Sequence, residues 1–326
     1  MTQLRERDPG AFQVYKKPKR ERWLELRKTC ITSTEVGPAA GMSKYGMTRF
    51  SIYHSKRGTL PDQFVPNERS DMGKFLENGI AKYAAKKIDA RALRLADFMI
   101  RGCLGASFDY EIADEKHELD GWLMEVKNVD QWIFRDTWDK DNFGNAIPPD
   151  HITCQVQAQL EVAGRPGCVL AVAVGNNTLQ LIKIARDHTF GQGLSEIARN
   201  LWGDIVAGKE PSPIDVDASN VPLVYNEADE KKTLDARKDP ILSHKLATWC
   251  ELKGQMEALK SRQNAIKAEV LVEIGDTKSV KGMDGYTLDA GVNKDGKDTV
   301  ITQDMVGDIK PGRKGYRRFN IKKKKG

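Results

Sequence analysis

The stretch that decides the fold class is Gly105-Ala-Ser-Phe-Asp-Tyr-Glu-Ile112, followed by Leu123-Met-Glu-Val-Lys127. Both segments are short and largely apolar, and glycines break the first from its neighbours, as in strands joined by turns. Side chains two residues apart in a strand point to the same face, so Glu125 and Lys127 share a face. An acidic residue from a neighbouring strand, Asp109, can join them.

This grouping predicts a metal site. Two carboxylates and a backbone carbonyl suit a hard divalent cation such as Mg²⁺. An adjacent ammonium positions an attacking water and offsets developing negative charge, which is the machinery of metal-assisted phosphodiester hydrolysis. The acid-x-Lys pattern is weak by itself, because it occurs eight times in the chain and is usually a solvated surface pair. Glu125 differs because it stands in an apolar strand at hairpin distance from Asp109. The other interpretation of this charged pair is surface charge on an edge strand.

The rest of the first 213 residues alternates between helical and strand patterns. Apolar residues at helical spacing predict helices over 71–87 and 152–163. Residues 169–174 form a continuous apolar run of strand length, and residues 178–184 alternate as its hairpin partner. This order predicts an α/β fold with a mixed central sheet flanked by helices.

A domain boundary is expected at Lys209-Glu-Pro-Ser-Pro213, because two prolines end the preceding helix and stiffen a linker. We therefore expect one domain at 1–213 and a second region at 214–326. Apolar residues at alternating three- and four-residue steps predict a long coiled-coil-like helix there: Leu242, Leu246, Trp249, Leu252, Met256, Leu259, Ile266 and Val270. Short strands and a basic tail follow it.

Composition and charge exclude several classes of protein. The 326 residues contain no apolar run long enough for a membrane span, and the first ten residues are too polar for a signal peptide. The five scattered cysteines exclude a disulfide scaffold. Residues 310–326 contain nine basic and no acidic residues, and the rest of the chain has 43 basic against 46 acidic residues. A basic tail on a near-neutral body suggests a polyanionic partner.

Five motifs in order resemble the YqaJ-type viral recombinase family, to which bacteriophage lambda exonuclease belongs, within the PD-(D/E)xK nuclease superfamily. They are Leu26-Arg-Lys-Thr-Cys-Ile-Thr-Ser-Thr-Glu-Val36, Gly73-Lys-Phe-Leu-Glu77, Gly105-Ala-Ser-Phe-Asp109, Glu125-Val-Lys127 and Ile147-Pro-Pro-Asp-His-Ile-Thr-Cys-Gln-Val-Gln-Ala-Gln-Leu160. Each motif is weak singly, but five with compatible spacing are specific. Phe108 and Tyr110 stand where the superfamily usually has Pro and Gly, and neither change removes a metal ligand. The fold that the resemblance implies is a restriction-endonuclease-like core.

The resemblance also implies a role for each matching residue. Asp109, Glu125 and the Val126 carbonyl would hold Mg²⁺, for which Mn²⁺ would substitute. Lys127 would orient or help to deprotonate the water, Glu77 would support the metal or its water, and Gln155 matches an active-site glutamine. Arg27, Ser33 and Thr34 resemble a pocket for a DNA 5′-phosphate, since a guanidinium donates two parallel hydrogen bonds to a phosphate in a bidentate pair. The tail residues expected to contact DNA are Lys322, Lys323, Lys324 and Lys325.

The function implied is a 5′→3′ exonuclease acting on linear double-stranded DNA ends and leaving 3′ overhangs for phage-type homologous recombination. The expected partner is a single-strand annealing protein, the expected assembly is a homo-oligomer such as a trimeric ring, and the expected location is the cytoplasm of a bacterial host cell. Two alternatives remain open, a catalytically silent DNA-end-binding or annealing factor and an endonuclease of the same superfamily.

Overall fold

The computed structural model describes residues 4–8, 10–42, 46–62, 67–175, 177–283 and 286–290. Its strands are β1 (Phe12–Tyr15), β2 (Ile31–Thr32), β3 (Ala92–Arg94), β4 (Phe98–Arg101), β5 (Leu104–Ser107), β6 (Tyr110–Ile112), β7 (Leu123–Val129), β8 (Asp139–Lys140), β9 (Ala146–Ile147), β10 (Gly167–Val174), β11 (Thr178–Ala185), β12 (Ser279–Met283) and β13 (Tyr286–Asp289). Its α-helices are α1 (Arg20–Arg27), α2 (Ser33–Ala39), α3 (Arg49–Arg57), α4 (Glu68–Lys87), α5 (Gln131–Thr137), α6 (Asp150–Ala163), α7 (His188–Ala207), α8 (Val221–Val224) and α9 (Pro240–Ile274).

The main strands form two sheets rather than the single central sheet that the sequence predicts. One has the order β1-β4-β5-β2 and the other the order β11-β10-β7-β6-β3. The chain passes from the first to the second between Ser107, the last residue of β5, and Tyr110, the first of β6. Both sheets mix parallel and antiparallel pairs, since β2 pairs β5 in parallel and β10 pairs β7 in parallel. The α/β class with mixed sheets flanked by helices is confirmed.

The second sheet is covered on both faces. On one face Met124 and Val126 of β7 pack with Ala81 and Ala84 of α4. On the other face, alternate residues of β7 and β10 belong to a core cluster with α6 and α7; its members include Leu123, Cys168, Leu170, Val172, Leu160 and Leu201. Helix α6 therefore lies over the strand face that presents Glu125 and Lys127.

The helices that flank the site begin and end at residues suited to those positions. Asn67 caps α4, since its Oδ1 accepts from the Ser70 amide at 3.0 Å. Helix α6 follows Pro148-Pro149 and ends at Gly164, whose φ of 68° lies in the left-handed region that glycine tolerates. These boundaries fix the portion of α6 that faces β7.

Two compact units divide the chain at Met1–Tyr225 and Asn226–Gly326. The first extends past the Pro213 boundary that the sequence suggests, because residues beyond Pro213 pack on it. Asp217 is fully buried and its Oδ1 accepts from Thr48 Oγ1 at 2.6 Å. Tyr225 donates its hydroxyl to Glu210 at 2.6 Å.

The second unit contains the predicted long helix and short strands. Helix α9 spans 35 residues and includes the whole predicted stripe from Leu242 to Val270. Asp239 caps it, with Oδ1 accepting from the Leu242 amide at 2.9 Å, and Pro240 occupies its first turn. Strands β12 and β13 pair antiparallel. In the described part of the chain, no helix is long and apolar enough to cross a membrane.

Candidate active site

Asp109 lies in the short link between β5 and β6, where the chain leaves one sheet for the other. Its Oδ2 accepts a hydrogen bond from the backbone amide of Val126 at 2.9 Å, which ties it to the middle of β7. Burial raises the pKa of Asp109 to about 8, and the nearby Glu125 carboxylate adds to the rise. The Val126 amide and Lys127 act in the opposite direction. Asp109 is therefore a carboxyl group whose negative charge the surroundings do not fully compensate.

Phe108 and Tyr110, the two departures from the superfamily pattern, are both buried on either side of Asp109. Phe108 belongs to the core cluster under α6, and Tyr110 belongs to the cluster under α4. Because its two neighbours are buried in separate clusters, Asp109 is left between them, directed at Val126 of β7. The larger side chains therefore anchor the link to both cores and keep the aspartate beside Glu125.

Glu125 is buried in the middle of β7 and is surrounded by hydrogen-bond donors. Its Oε1 accepts from Lys127 Nζ at 2.6 Å and from Gln155 Nε2 at 2.6 Å. Its Oε2 accepts from Gln159 Nε2 at 2.8 Å. The strand alternation predicted from the sequence thus brings Glu125 and Lys127 to the same face, opposite α6.

Lys127 is held between Glu125 and α6. Its Nζ also donates to Gln155 Oε1 at 3.2 Å. Burial alone would lower the pKa of Lys127, but the charges of Glu125 and Asp109 outweigh it and the net shift is upward. The side chain is therefore held as an ammonium ion that remains partly open to solvent, with 26% of its surface exposed.

Sequence reasoning missed Gln159. It lies one helical turn after Gln155, so the two amides share a face of α6. Its Nε2 donates both to Glu125 and, at 3.0 Å, to the carbonyl of Ser107. The Gln-x-Gln-x-Gln spacing was the available signal, because residues four apart on a helix lie on the same face. Gln157 points elsewhere, toward the Ala185 carbonyl.

Glu77 lies on α4, within electrostatic reach of Asp109, whose pKa it helps to raise. Its carboxylate accepts from Arg94 Nη1 at 2.6 Å, and Arg94 also donates to the Tyr110 hydroxyl at 3.3 Å. The structure therefore brings Glu77 to the edge of the site but pairs it with an arginine rather than with Lys127.

The residues present fit a divalent cation. Among the described residues, no group of three His, Cys, Asp or Glu side chains is placed to hold a metal ion. Such a site here would depend on the two carboxylates of Asp109 and Glu125 and on the Val126 carbonyl, an all-oxygen set of the kind that Mg²⁺ takes. The fit rests on Asp109, because a carboxyl whose pKa is raised by burial and by a second carboxylate is stabilised as an anion by a bound cation.

Arg27 and Thr34 are in contact at the surface, whereas Ser33 is buried. Arg27 Nη2 donates to Thr34 Oγ1 at 3.5 Å, and its guanidinium lies over the Trp23 ring at 4.7 Å. Thr34 is exposed, whereas Ser33 has only 4% of its surface exposed at the start of α2. Two of the three residues predicted for a phosphate pocket are thus adjacent and accessible.

A buried ion pair lies beneath Arg27, and no pattern in the sequence predicts it. Lys56 Nζ donates to both carboxylate oxygens of Glu35, at 2.8 and 2.7 Å, and to the Arg27 carbonyl at 2.6 Å. Glu35 Oε2 in turn accepts from the Thr32 amide at 2.8 Å. Burial would raise the pKa of Glu35, but Lys56 and Arg27 hold it below its usual range. Glu35 belongs to a quoted motif, yet nothing local marks its partner on α3.

Ser107 connects this surface to the carboxylates. Its hydroxyl accepts from Trp23 Nε1 at 2.7 Å, while its carbonyl accepts from Gln159. Trp23 lies under the Arg27 guanidinium, and Gln159 also holds Glu125. The Arg27 side chain and the Glu125 carboxylate are therefore anchored to the same residue of β5. The predicted DNA contacts at Lys322, Lys323, Lys324 and Lys325 lie outside the described residues.

One family model matches part of this chain. Residues 22–166 match the family model of the YqaJ-like viral recombinase domain. The solved structures similar to this chain include an alkaline exonuclease from Laribacter hongkongensis, LHK-Exo (TM-score 0.45, 16% identity, 58% of this chain and 93% of that chain covered). They also include LHK-Exo in complex with dAMP (0.46, 18%, 58% and 93%) and a phage-related exonuclease from Haemophilus somnus (0.38, 9%, 55% and 96%). A search of curated proteins finds no match to this chain.

Proposed function

We propose that this chain, whose residues 22–166 match the YqaJ-like viral recombinase domain, is a Mg²⁺-dependent exonuclease of linear double-stranded DNA. The observation that supports this most strongly is the arrangement around Glu125. A buried carboxylate is hydrogen-bonded to Lys127 and to two glutamines, and it lies beside a second carboxyl group, Asp109, whose pKa is raised. Perturbed titratable groups gathered in this way are typical of a catalytic site.

In the proposed mechanism Asp109, Glu125 and the Val126 carbonyl would hold the cation. A bound Mg²⁺ would polarise the scissile phosphate and lower the pKa of a water molecule. Lys127, kept as an ammonium ion, donates toward the water or the phosphate oxygen and stabilises the negative charge that develops in the transition state. Gln155 and Gln159 fix the orientation of Glu125, and Gln155 also fixes Lys127.

The proposed polarity, from the 5′ end, rests on Arg27 and Thr34. A guanidinium and a hydroxyl side by side at the surface suit a terminal phosphate, which offers charged acceptors to both. Their link through Trp23 and Ser107 to Gln159 ties this surface to the carboxylates. Removing nucleotides from the 5′ end would leave a 3′ overhang, which is the substrate of a single-strand annealing protein. That partner, and a DNA contact by the basic tail, belong to the proposal.

The experiment is digestion of matched linear and covalently closed circular duplexes, with Mg²⁺, with Mn²⁺ and with chelator. We expect loss of linear DNA only, in the presence of either metal. A label at the 5′ end should be released before a label at the 3′ end of the same strand. Cutting of circular DNA would assign an endonuclease instead. Binding to ends without degradation in either metal would assign a silent end-binding or annealing factor.

A further inference from the structure

The long helix α9 presents an apolar stripe whose central residues, from Leu252 to Ile266, are exposed. Written in heptads with Trp249 at position a, the helix has Trp249, Met256, Gln263 and Val270 at a, and Leu252, Leu259 and Ile266 at d. None of the residues of α9 is buried. Met256 and Leu259 keep 71% and 66% of their surface exposed, and Leu252 and Ile266 keep 54% and 50%. An exposed apolar seam with this period is typical of a helix that pairs with another helix.

The flanks of the stripe have one sign of charge. Position e is occupied by Lys253, Lys260 and Lys267, and position g by Gln255, Arg262 and Glu269. Four of these six flanking residues are therefore basic and one is acidic. Residues at e and g face the partner helix across the seam and set which partner and which orientation are favoured.

A second copy of this chain is a poor partner for the stripe. In a parallel pair, position g faces position e of the following heptad, so Arg262 would face a copy of Lys267. In an antiparallel pair, e faces e, and lysine would face lysine. Like charges placed opposite one another are destabilising in either arrangement. Residues 310–326 carry the same sign of charge as these flanks, so charge does not favour them as the occupant.

We propose that the seam from Leu252 to Ile266 binds an acidic amphipathic helix of another protein, with Leu, Ile or Val at its a and d positions and Glu or Asp at e and g. The seam covers about two heptads, roughly 22 Å at ~1.5 Å per residue. Gln263 is the one polar residue at position a, and it sets the register by pairing with a polar side chain of the partner. Because nuclease chemistry plays no part in this pairing, its outcome is independent of the function proposed above.

The test uses the full chain and two designed four-heptad peptides that differ only at e and g. One has glutamate at every e and g position and the other has lysine, with leucine at a and d and one glutamine opposite Gln263. We expect the glutamate peptide to bind with one-to-one stoichiometry, more tightly at low salt, and at least tenfold more tightly than the lysine peptide. Leu259→Glu should weaken that binding at least tenfold, whereas Ser261→Glu, at the outward position f, should leave it nearly unchanged.

Three results would overturn the proposal. The first is equal affinity for the two peptides, which would show that the flanks select nothing. The second is self-association that sedimentation detects in the parent chain and that Leu259→Glu abolishes, since the occupant would then be a second copy. The third is a Lys253→Ala/Lys260→Ala/Lys267→Ala variant that binds the glutamate peptide normally but duplex DNA weakly, which would assign the lysines to nucleic acid.

Discussion

Lys127 donates to both Glu125 and Gln155, so its ammonium is held in one place before any substrate arrives. Its proposed effect is on charge that develops in the transition state. We expect Lys127→Ala to lower kcat by about 10²–10³ while KM and metal affinity change little. Single-turnover rates and DNA affinity measured on the same preparation separate the two effects. Weaker DNA binding at unchanged turnover would make Lys127 a phosphate contact only.

Lys56 is expected to contribute to the stability of the folded protein. Removing one partner of a buried ion pair leaves a buried charge without compensation, so Lys56→Met should lower the free energy of unfolding by about 3–5 kcal/mol. Urea denaturation at neutral pH measures this, and the double variant Glu35→Gln/Lys56→Met should recover most of the loss. A single variant as stable as the parent would contradict the role assigned to the pair.

The same pair gives a pH dependence with a defined sign. The pKa of Glu35 is lower in the folded state, so its contribution to stability is present above the unfolded pKa and is lost as the pH falls through the folded pKa. In Lys56→Met, Glu35 would stay buried without its cationic partner, so its pKa would rise. The loss of stability on acidification would then disappear.

The site residues divide into those that the sequence predicts and those that it does not. Asp109, Glu125 and Lys127 follow from strand alternation and a hairpin, which are local in sequence. Gln159 and Lys56 act through contacts between distant elements, 34 and 21 residues from their carboxylate partners. Periodicity does not determine which side chain of a neighbouring helix reaches a strand, so these residues need the tertiary structure. The catalytic and phosphate-binding roles remain predictions.

At the scale of elements, β5 depends on close packing at Gly105. A Cβ built there would overlap Cys30 Sγ and would lie 3.1 Å from Phe98 Cζ, and all three residues are in or beside a tightly packed cluster. We expect Gly105→Ala to lower the free energy of unfolding by about 1–3 kcal/mol through overpacking. Because β5 leads into Asp109, cleavage should fall as well.

The matched control is Gly73→Ala in the interior of α4, where a Cβ meets nothing within 4 Å. There the substitution should raise stability by about 0.5–1 kcal/mol, since alanine is the better helix former. Equal effects of the two substitutions in thermal unfolding would show that the packing around Gly105 is looser than described.

The elements with a strong period were predictable, and their grouping was not. The helices and strands expected at 71–87, 152–163, 169–174 and 178–184 match α4, α6, β10 and β11 within a few residues. The division into two sheets was not expected, because the sequence predicts strands joined by turns here but not which strands pair. The strand pairing, together with the burial of Phe108 and Tyr110 in separate clusters, shows that the chain changes sheet there.

We expect the protein to prefer DNA ends that carry a 5′-phosphate. Duplex with a 5′-phosphate should be degraded faster than duplex with a 5′-hydroxyl, by about tenfold, since a charge-assisted hydrogen bond is stronger than a neutral one. Arg27→Ala should remove most of the preference. Initial rates on matched linear substrates measure it.

Deletion of residues 322–325 serves as the control for Arg27. The deletion is expected to weaken binding to every duplex alike and to flatten its salt dependence, because those lysines release counterions without contacting the end. A preference that disappears on tail deletion but survives Arg27→Ala would move the phosphate contact to the tail. The trimeric ring stays a prediction, which sedimentation of the chain with DNA can test.

The initial rate of linear-duplex degradation in Mg²⁺ by Asp109→Asn decides whether Asp109 and Glu125 form a metal-dependent hydrolytic site. Asp235→Asn, an exposed aspartate paired with Arg237, is the matched control. The account predicts that Asp109→Asn folds and binds DNA but degrades it at least about 10³-fold more slowly, while Asp235→Asn degrades it at the parental rate. A folded Asp109→Asn protein that degrades linear duplex in Mg²⁺ as fast as the parent would contradict it.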